Sequence, residues 1–229
     1  MARSGDTTTD LVHRVPLLAS LSEEDIRSLA PIAGRRSFRH GHTIFREGEP
    51  GDSLYILIRG SVFITMLSSD GAESILAVLR GGDCLGELSL LDGFPRSATA
   101  RAAEDVDALV VTRDHFQSWL ADHHAASLAL LRTLSMRIRR TNAALADRNA
   151  LDLWQRLAKQ LLLLADDQPR ASASDGTDLR VTQQQLAEML GVTREAVNKT
   201  LREFAQAGWI ELRRGLVRIC DTASLAEQL

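Results

Sequence analysis

Thr182-Gln-Gln-Gln-Leu-Ala-Glu-Met-Leu-Gly-Val-Thr-Arg-Glu-Ala-Val-Asn-Lys199 decides the fold of the C-terminal part of this chain. Thr182 and Gln185 stand at capping-box spacing, which starts a helix. Leu186, Met189 and Leu190 supply its buried face, and the small Ala187 lets a second helix approach closely. Gly191 breaks the helix, because a tight turn favours a residue without a Cβ. Thr193 caps a second helix, Arg194 to about Ala207, with Val197, Leu201 and Phe204 facing inward. Arg194, Glu195, Asn198, Lys199 and Arg202 are left near the opposite side. After Gly208, two short apolar runs, Trp209–Leu212 and Leu216–Ile219, flank Arg213-Arg214-Gly215 as a hairpin with a basic tip. The pattern predicts a winged helix-turn-helix. Its second helix carries the residue types that read base edges: Arg for guanine O6 and N7, Glu for cytosine N4. The alternative, a helical hairpin with a solvated charged face, explains neither the turn glycine nor the wing.

Charge distribution agrees. Residues 180–218 hold seven Lys/Arg against four Asp/Glu, a surplus of three positive charges in a chain whose formal net charge is −3. A basic module on an acidic body suits contact with DNA through one face.

Upstream, helix formers dominate from about His115 to Asn149, and Leu131, Leu134, Ile138, Thr141 and Leu145 alternate three and four apart. That narrow seam asks for a partner, and a second copy of itself is the simplest one. Packing on its own domain is the alternative. Thr141 is the polar member of the seam and needs a hydrogen bond, from a ligand or as a register-fixing residue. Leu151–Ala165 reads as a further apolar helix, followed by an exposed loop at residues 166–178.

Between about Gly34 and Val111 the texture is that of short strands. Leu54–Ile58, Ser61–Met66, Ser74–Leu79 and Ala108–Thr112 are rich in β-branched residues and separated by glycines, which predicts a small antiparallel barrel or roll. Within it, Gly86-Glu87-Leu88 opens a short helical turn, and Arg96-Ser97-Ala98 follows closely. A helix N-terminus favours an anion, and Arg96 supplies a planar fork for phosphate oxygens with the Ser97 hydroxyl alongside. Glu87 can accept from a sugar hydroxyl. A short capped helix at residues 22–30 precedes the roll, after a polar lead-in at residues 1–10.

Composition narrows the classes. The chain has 229 residues, enough for two small cores, with 45% apolar and 25% charged residues. No apolar run approaches the ~20 residues needed to span a bilayer, and the N-terminus has no secretory pattern, so no membrane association and a cytoplasmic location are expected. Two cysteines, Cys84 and Cys220, make neither a disulfide framework nor a metal knuckle. An iron–sulfur cluster needs about four, and His115, His123, His124 and Cys84 are too scattered to be haem ligands. No metal site is expected. Cys84 is expected to be a small buried filler. With the roll and the helix-turn-helix accounted for, no room remains for a catalytic domain, so the chain is not expected to be an enzyme.

The Gly86-Glu87-Leu88…Arg96-Ser97-Ala98 cassette, the long seam and the winged helix-turn-helix together resemble the cyclic-AMP receptor protein/FNR (CRP/FNR) family of bacterial transcription regulators, from about Leu11 to Asp221. The resemblance implies an α+β fold: an N-terminal cyclic-nucleotide-binding β-roll (1–114), a dimerisation helix (115–150) and a winged helix-turn-helix DNA-binding domain (151–229), hinged near Asn149–Asp152. It implies a homodimer that binds cyclic AMP as allosteric effector, double-stranded operator DNA and RNA polymerase. By position, Glu87 would hold the ribose 2′-hydroxyl, Arg96 and Ser97 the cyclic phosphate, and Gly86, Leu88 and Ala98 the rest of the cradle. Arg137 would pair near Glu87, while Thr141 and Asn142 would meet the adenine amino group, one from each subunit. Asn142 departs from the family's serine. Arg194 and Glu195 match the base-reading pair, and Lys199 replaces a frequent arginine, which implies TGTGA-like half-sites with one base less tightly specified. Thr182, Gln184, Thr193 and Arg213 match phosphate-touching positions. The residues leave open the same regulator answering to cyclic di-GMP, to another small ligand or to none.

Overall fold

The run Leu54–Ile58 lacks the polar alternation of a half-buried strand, and the computed structural model shows why: both of its faces are covered. The structure describes residues 28–67, 71, 73–166 and 176–229. Most of the helix expected at 22–30, the lead-in at 1–10 and most of the loop at 166–178 lie outside the described residues. The chain divides into two compact units, Met1–Ile138 and Arg139–Leu229.

In the first unit the strands are β1 (Ala33–Phe38), β2 (Thr43–Phe45), β3 (Ser53–Arg59), β4 (Ser61–Leu67), β5 (Glu73–Arg80), β6 (Cys84–Leu85), β7 (Thr99–Ala102) and β8 (Val106–Thr112). They form two four-stranded sheets, ordered β1-β8-β3-β6 and β2-β7-β4-β5. Every pairing is antiparallel. Successive side chains of a strand face opposite ways. Tyr55 and Leu57 therefore enter the core between the sheets with Val62, Ala100 and Ala108. Leu54 and Ile56 enter a second core with Leu109, Phe116 and Trp119.

That second core is roofed by helices. The short α1 (Glu87–Asp92) lies between β6 and β7, and α2 (Arg113–Asp122) and α3 (His124–Ala150) follow β8. The single helix expected from about His115 is two, broken at His123. There the imidazole Nδ1 donates to Trp119 O at 2.7 Å and the ring stacks on the indole at 5.0 Å between centroids. Ala126, Ala129 and Leu130 of α3 are buried, and Leu134 packs partly against them. Leu131, Ile138 and Leu145 are not covered, at 59%, 61% and 60% exposure. The helix thus uses one stripe, Leu134 of the expected seam included, on its own roll and leaves Leu131, Ile138 and Leu145 open.

The second unit contains α4 (Leu153–Asp166), β9 (Thr177–Leu179), α5 (Gln183–Leu190), α6 (Arg194–Gln206), β10 (Ile210–Arg213), β11 (Leu216–Ile219) and α7 (Thr222–Ala226). The strands form one sheet, ordered β10-β11-β9. The capping box is complete: Thr182 Oγ1 accepts from Gln185 N, and the Gln185 side chain accepts from Thr182 N. Gly191 ends α5 at φ 64°, a conformation costly for residues with a Cβ. Val197, Leu201 and Phe204 are fully buried, as their spacing predicts. An aromatic cluster seals this core: Phe204 stands edge-on to Trp154 at 4.6 Å and lies 5.5 Å from Trp209.

Phe204→Ala is expected to destabilise the second unit by about 3–5 kcal/mol, through lost burial and a residual cavity. Calorimetry read beside tryptophan fluorescence checks this. The transition reported by Trp154 and Trp209 should fall, while that of the roll, reported by Trp119, should hold.

Candidate functional site

The cradle is assembled by turns that tolerate only glycine. Gly86 caps α1 at φ 84°, and a Cβ there would meet Arg96 Nη1 at 2.4 Å. At Gly51 a Cβ would meet the Ser89 Cβ at 2.3 Å. The close packing brings α1 and the Arg96 segment onto one open cavity. Gly86, Glu87, Leu88, Arg96, Ser97, Ala98 and Arg137 all line it. Phe45, Ile64, Leu79 and Leu85 supply an apolar wall. Thr141 and Asn142 follow Arg137 on α3 and are exposed.

Two buried groups in this cavity have unspent capacity. Glu87 is 2% exposed; its Oε1 accepts from Arg137 Nη1 at 2.6 Å, while Oε2 has no partner. Arg137 Nη2 also donates to Cys84 O. Arg96 is 4% exposed, with Nη1 donating to Gly86 O and Nη2 to Ser53 O, both at 2.7 Å. Its guanidinium lies over the Phe45 ring, 4.3 Å from the centroid, and its Nε has no partner. Burial raises the Glu87 carboxyl above the usual carboxylate range, against the opposing pull of Arg137. Burial likewise lowers Arg96 from the usual arginine value. An anion at Arg96 and a hydroxyl donor at Glu87 would relieve both.

Sequence reading missed the residue that fixes this platform. Arg113, at the start of α2, donates through Nη2 to Gly51 O at 2.6 Å and Ser89 O at 2.9 Å, and Gln117 Nε2 donates to Leu90 O at 2.9 Å. Together they take up carbonyls at the end of α1, where Ser89 O also accepts from the Gly93 N–H. The only signal in the sequence was an arginine directly after a strand.

Cys84 is buried behind the cradle, and desolvation followed by the nearby Glu87 charge pushes its thiol to about 12. Cys220 is exposed. Since the thiolate is the reactive form, a disulfide reagent should titrate one thiol per native chain and the second only after denaturation. Two fast equivalents in the native protein would contradict the buried, neutral Cys84.

In the second unit Thr182, Gln184, Thr193, Arg194, Glu195, Lys199 and Arg213 are all exposed. Thr182 and Thr193 cap α5 and α6, so each spends its hydroxyl oxygen on a backbone N–H, with Thr193 accepting from Ala196 N at 3.2 Å. Gln184 Nε2 donates to Glu188 Oε1 at 3.0 Å. Arg213 pairs with Glu211 at 3.0 Å on the hairpin, an exposed contact of small strength that phosphate can replace. Reading from sequence also missed a cross-helix pair: Gln183 Nε2 donates to Asn198 Oδ1 at 3.1 Å.

Among the described residues no His/Cys/Asp/Glu group could hold a metal ion, and no helix is long and apolar enough to cross a membrane.

Comparison with known proteins reproduces the division seen in the structure. A family model for the cyclic nucleotide-binding domain matches residues 35–123, and one for the Crp-like helix-turn-helix domain matches residues 155–228. The chain is 40% identical over 223 residues to a CRP-like cAMP-activated global transcriptional regulator of Mycobacterium tuberculosis, covering 96% of this chain and 98% of that protein. It is 29% identical to a cyclic AMP receptor protein of Thermus thermophilus, covering 93% of this chain and 95% of that protein. Among solved structures it resembles the c-di-GMP responsive global regulator CLP of Xanthomonas campestris, with TM-score 0.78 and 25% identity over 87% of this chain and 99% of that one.

Proposed function

Because the chain belongs to the CRP/FNR family of transcription regulators, we propose that it is a homodimer that binds cyclic AMP in the cradle and thereby sets its two helix-turn-helix domains for a TGTGA-like palindrome. The observation that carries the effector reading is the pair of buried, unspent groups in one cavity, Glu87 Oε2 and Arg96 Nε. A ribose 2′-hydroxyl donates to the first, and a cyclic phosphate, with Ser97 alongside, accepts from the second.

The exposed seam of α3 supports pairing with a second copy, which covers Leu131, Ile138 and Leu145 and offers Thr141 and Asn142 to the base. On DNA the two recognition helices then sit roughly 34 Å apart, in successive major grooves. Arg194, Glu195 and Lys199 read bases, while Thr182, Gln184, Thr193 and Arg213 hold phosphates. The ligand shifts the equilibrium only by binding the DNA-competent state more tightly than the other. The role is regulatory rather than enzymatic, in the cytoplasm, with RNA polymerase as the onward partner.

A second reading keeps the regulator and replaces the effector with cyclic di-GMP, as the Xanthomonas protein is named for that response. Calorimetric titration with cyclic AMP, cyclic GMP and cyclic di-GMP tests both. Saturable heat with cyclic AMP supports the first reading. Silence with cyclic AMP contradicts it, and saturation with cyclic di-GMP alone installs the second.

A further inference from the structure

We infer that Arg148 is a built-in brake on the paired seam. It continues the seam row into the last turn of α3, where two copies bring like charges face to face, and so opposes the closed pairing that the ligand favours. The inference rests on the homodimer reading above.

Leu131, Leu134, Ile138, Thr141 and Leu145 alternate three and four apart, and the next step of three lands on Arg148. Helix α3 runs from His124 to Ala150, so Arg148 shares the face that holds the exposed Leu131, Ile138 and Leu145. In heptad terms these three are a positions, and Leu134, Thr141 and Arg148 are d positions. Both recognition helices must meet one DNA duplex, which makes the two copies of α3 parallel. In a parallel pair each d residue meets its own copy across the axis, and a charged residue there costs pairing.

Among the described residues nothing nearby cancels this charge. Arg132, Arg137, Arg139, Arg140 and Arg148 stand on α3 against the single acid Asp147. Asp147 is engaged by Lys159 of α4 at 2.7 Å. Asp152, the next acid along the chain, accepts from Gln155 N at 2.9 Å at the start of α4. The positions flanking the Arg148 layer, where a partner's acid would stand, are Ala144 and Asn149. For a single helix the same arginine is favourable, because a cation in the last turn meets the negative end of the dipole. Arg148 thus stabilises each helix alone and opposes the joining of two.

In the proposed complex Thr141 and Asn142, one from each helix, meet one base and draw the seam together. Arg148 follows Thr141 by seven residues, roughly 10 Å along the axis. Its layer pushes the other way, so it favours the open seam and holds operator affinity down until cyclic AMP arrives. Two unit charges about 7 Å apart at a wet surface give an effect of about 3-fold to 10-fold, which salt screens.

The test uses full-length chains carrying two different tags, so that mixed dimers are isolated by successive affinity steps. Cyclic AMP affinity is read by calorimetry, and operator affinity without ligand by fluorescence anisotropy, both at low salt. Arg148→Leu should raise both by about threefold or more. Leucine also adds packing, so Arg148→Glu isolates the charge. Its homodimer keeps like charges face to face and should bind no more tightly than wild type. The mixed dimer of wild type with Arg148→Glu pairs opposite charges and should bind more tightly than either homodimer, by about 3-fold to 10-fold. An ordinary charge effect on an anionic ligand or on DNA varies steadily with charge, so a mixed dimer that is intermediate, or equal to the others, overturns the brake. Unchanged affinities in Arg148→Leu overturn it too. Silence with cyclic AMP removes the effector reading and leaves the operator arm, with the same ordering, to decide. Wild type that sediments as a monomer removes the homodimer reading, and this inference falls with it.

Discussion

Arg96→Gln is expected to weaken cyclic AMP binding by roughly 30-fold to several thousandfold. Arg96 is the buried cation of the cradle, fixed by Gly86 O and Ser53 O and braced on Phe45, with its Nε unspent. Truncating one partner of a buried, hydrogen-bonded charge pair costs about 2–5 kcal/mol, on the order of 30-fold to several thousandfold in affinity. Glutamine keeps some of the volume but neither the charge nor the fork. Arg96→Lys should fall between, since an ammonium keeps the charge and loses the planar geometry. The variant also strips two backbone carbonyls of their donor, each worth about 1–3 kcal/mol when left buried. The roll should therefore melt earlier, and binding must be titrated well below its transition. Calorimetry on the three proteins checks the order wild type, Lys, Gln. Undiminished affinity in Arg96→Gln would remove Arg96 from the site.

Arg194→Ala is expected to cost about 1–3 kcal/mol of discrimination at one base pair of each half-site, roughly 5-fold to 150-fold. Its side chain is exposed on the first turn of α6, where a bidentate pair with guanine is within reach once the helix enters the groove. Combining it with Glu195→Ala should leave little beyond non-specific affinity. Arg213→Ala provides the contrast. A hairpin residue that touches phosphate carries no sequence information, so its loss should weaken every DNA alike and reduce the salt slope by about one. Competition binding with operator and scrambled duplexes at two salt concentrations separates the two behaviours. Equal losses on both duplexes for Arg194→Ala would reassign it to the backbone.

Local patterns made the helix-turn-helix legible. Capping box, turn glycine and inward triplet each act within a few residues, and Thr182, Gly191, Val197, Leu201 and Phe204 do in the structure what their spacing predicts. Strands β3, β4 and β8 were legible because burial on both faces leaves largely apolar runs, and β5 because its run is apolar although Leu76 and Ala77 are exposed at the sheet edge. By contrast β1, Ala33-Gly-Arg-Arg-Ser-Phe38, is a sheet-edge strand whose middle residues are exposed, so its sequence has no apolar signal. The break at His123 was hidden because it depends on tertiary contacts: a stack on Trp119 and a hydrogen bond with Ser28 at 3.0 Å, 95 residues away in sequence. In the cradle, the residue types of Glu87 and Arg96 were readable, but their unspent atoms, and the clamp of Arg113 and Gln117 on α1, are long-range facts. The same holds for the Gln183–Asn198 bond, in which neither residue alone betrays its partner.

The central claim is that ligand in the cradle and DNA on the recognition helices bias one equilibrium. Linkage makes this testable from both sides, because a ligand that raises operator affinity by some factor must itself bind more tightly by the same factor when operator is present. The most direct measurement is therefore operator affinity of the full-length protein, titrated without and with saturating cyclic AMP, beside cyclic AMP affinity without and with saturating operator. The account predicts an equal increase in both, of about 5-fold to 150-fold, the usual range of allosteric coupling. Cyclic AMP that binds saturably while leaving operator affinity unchanged would contradict it.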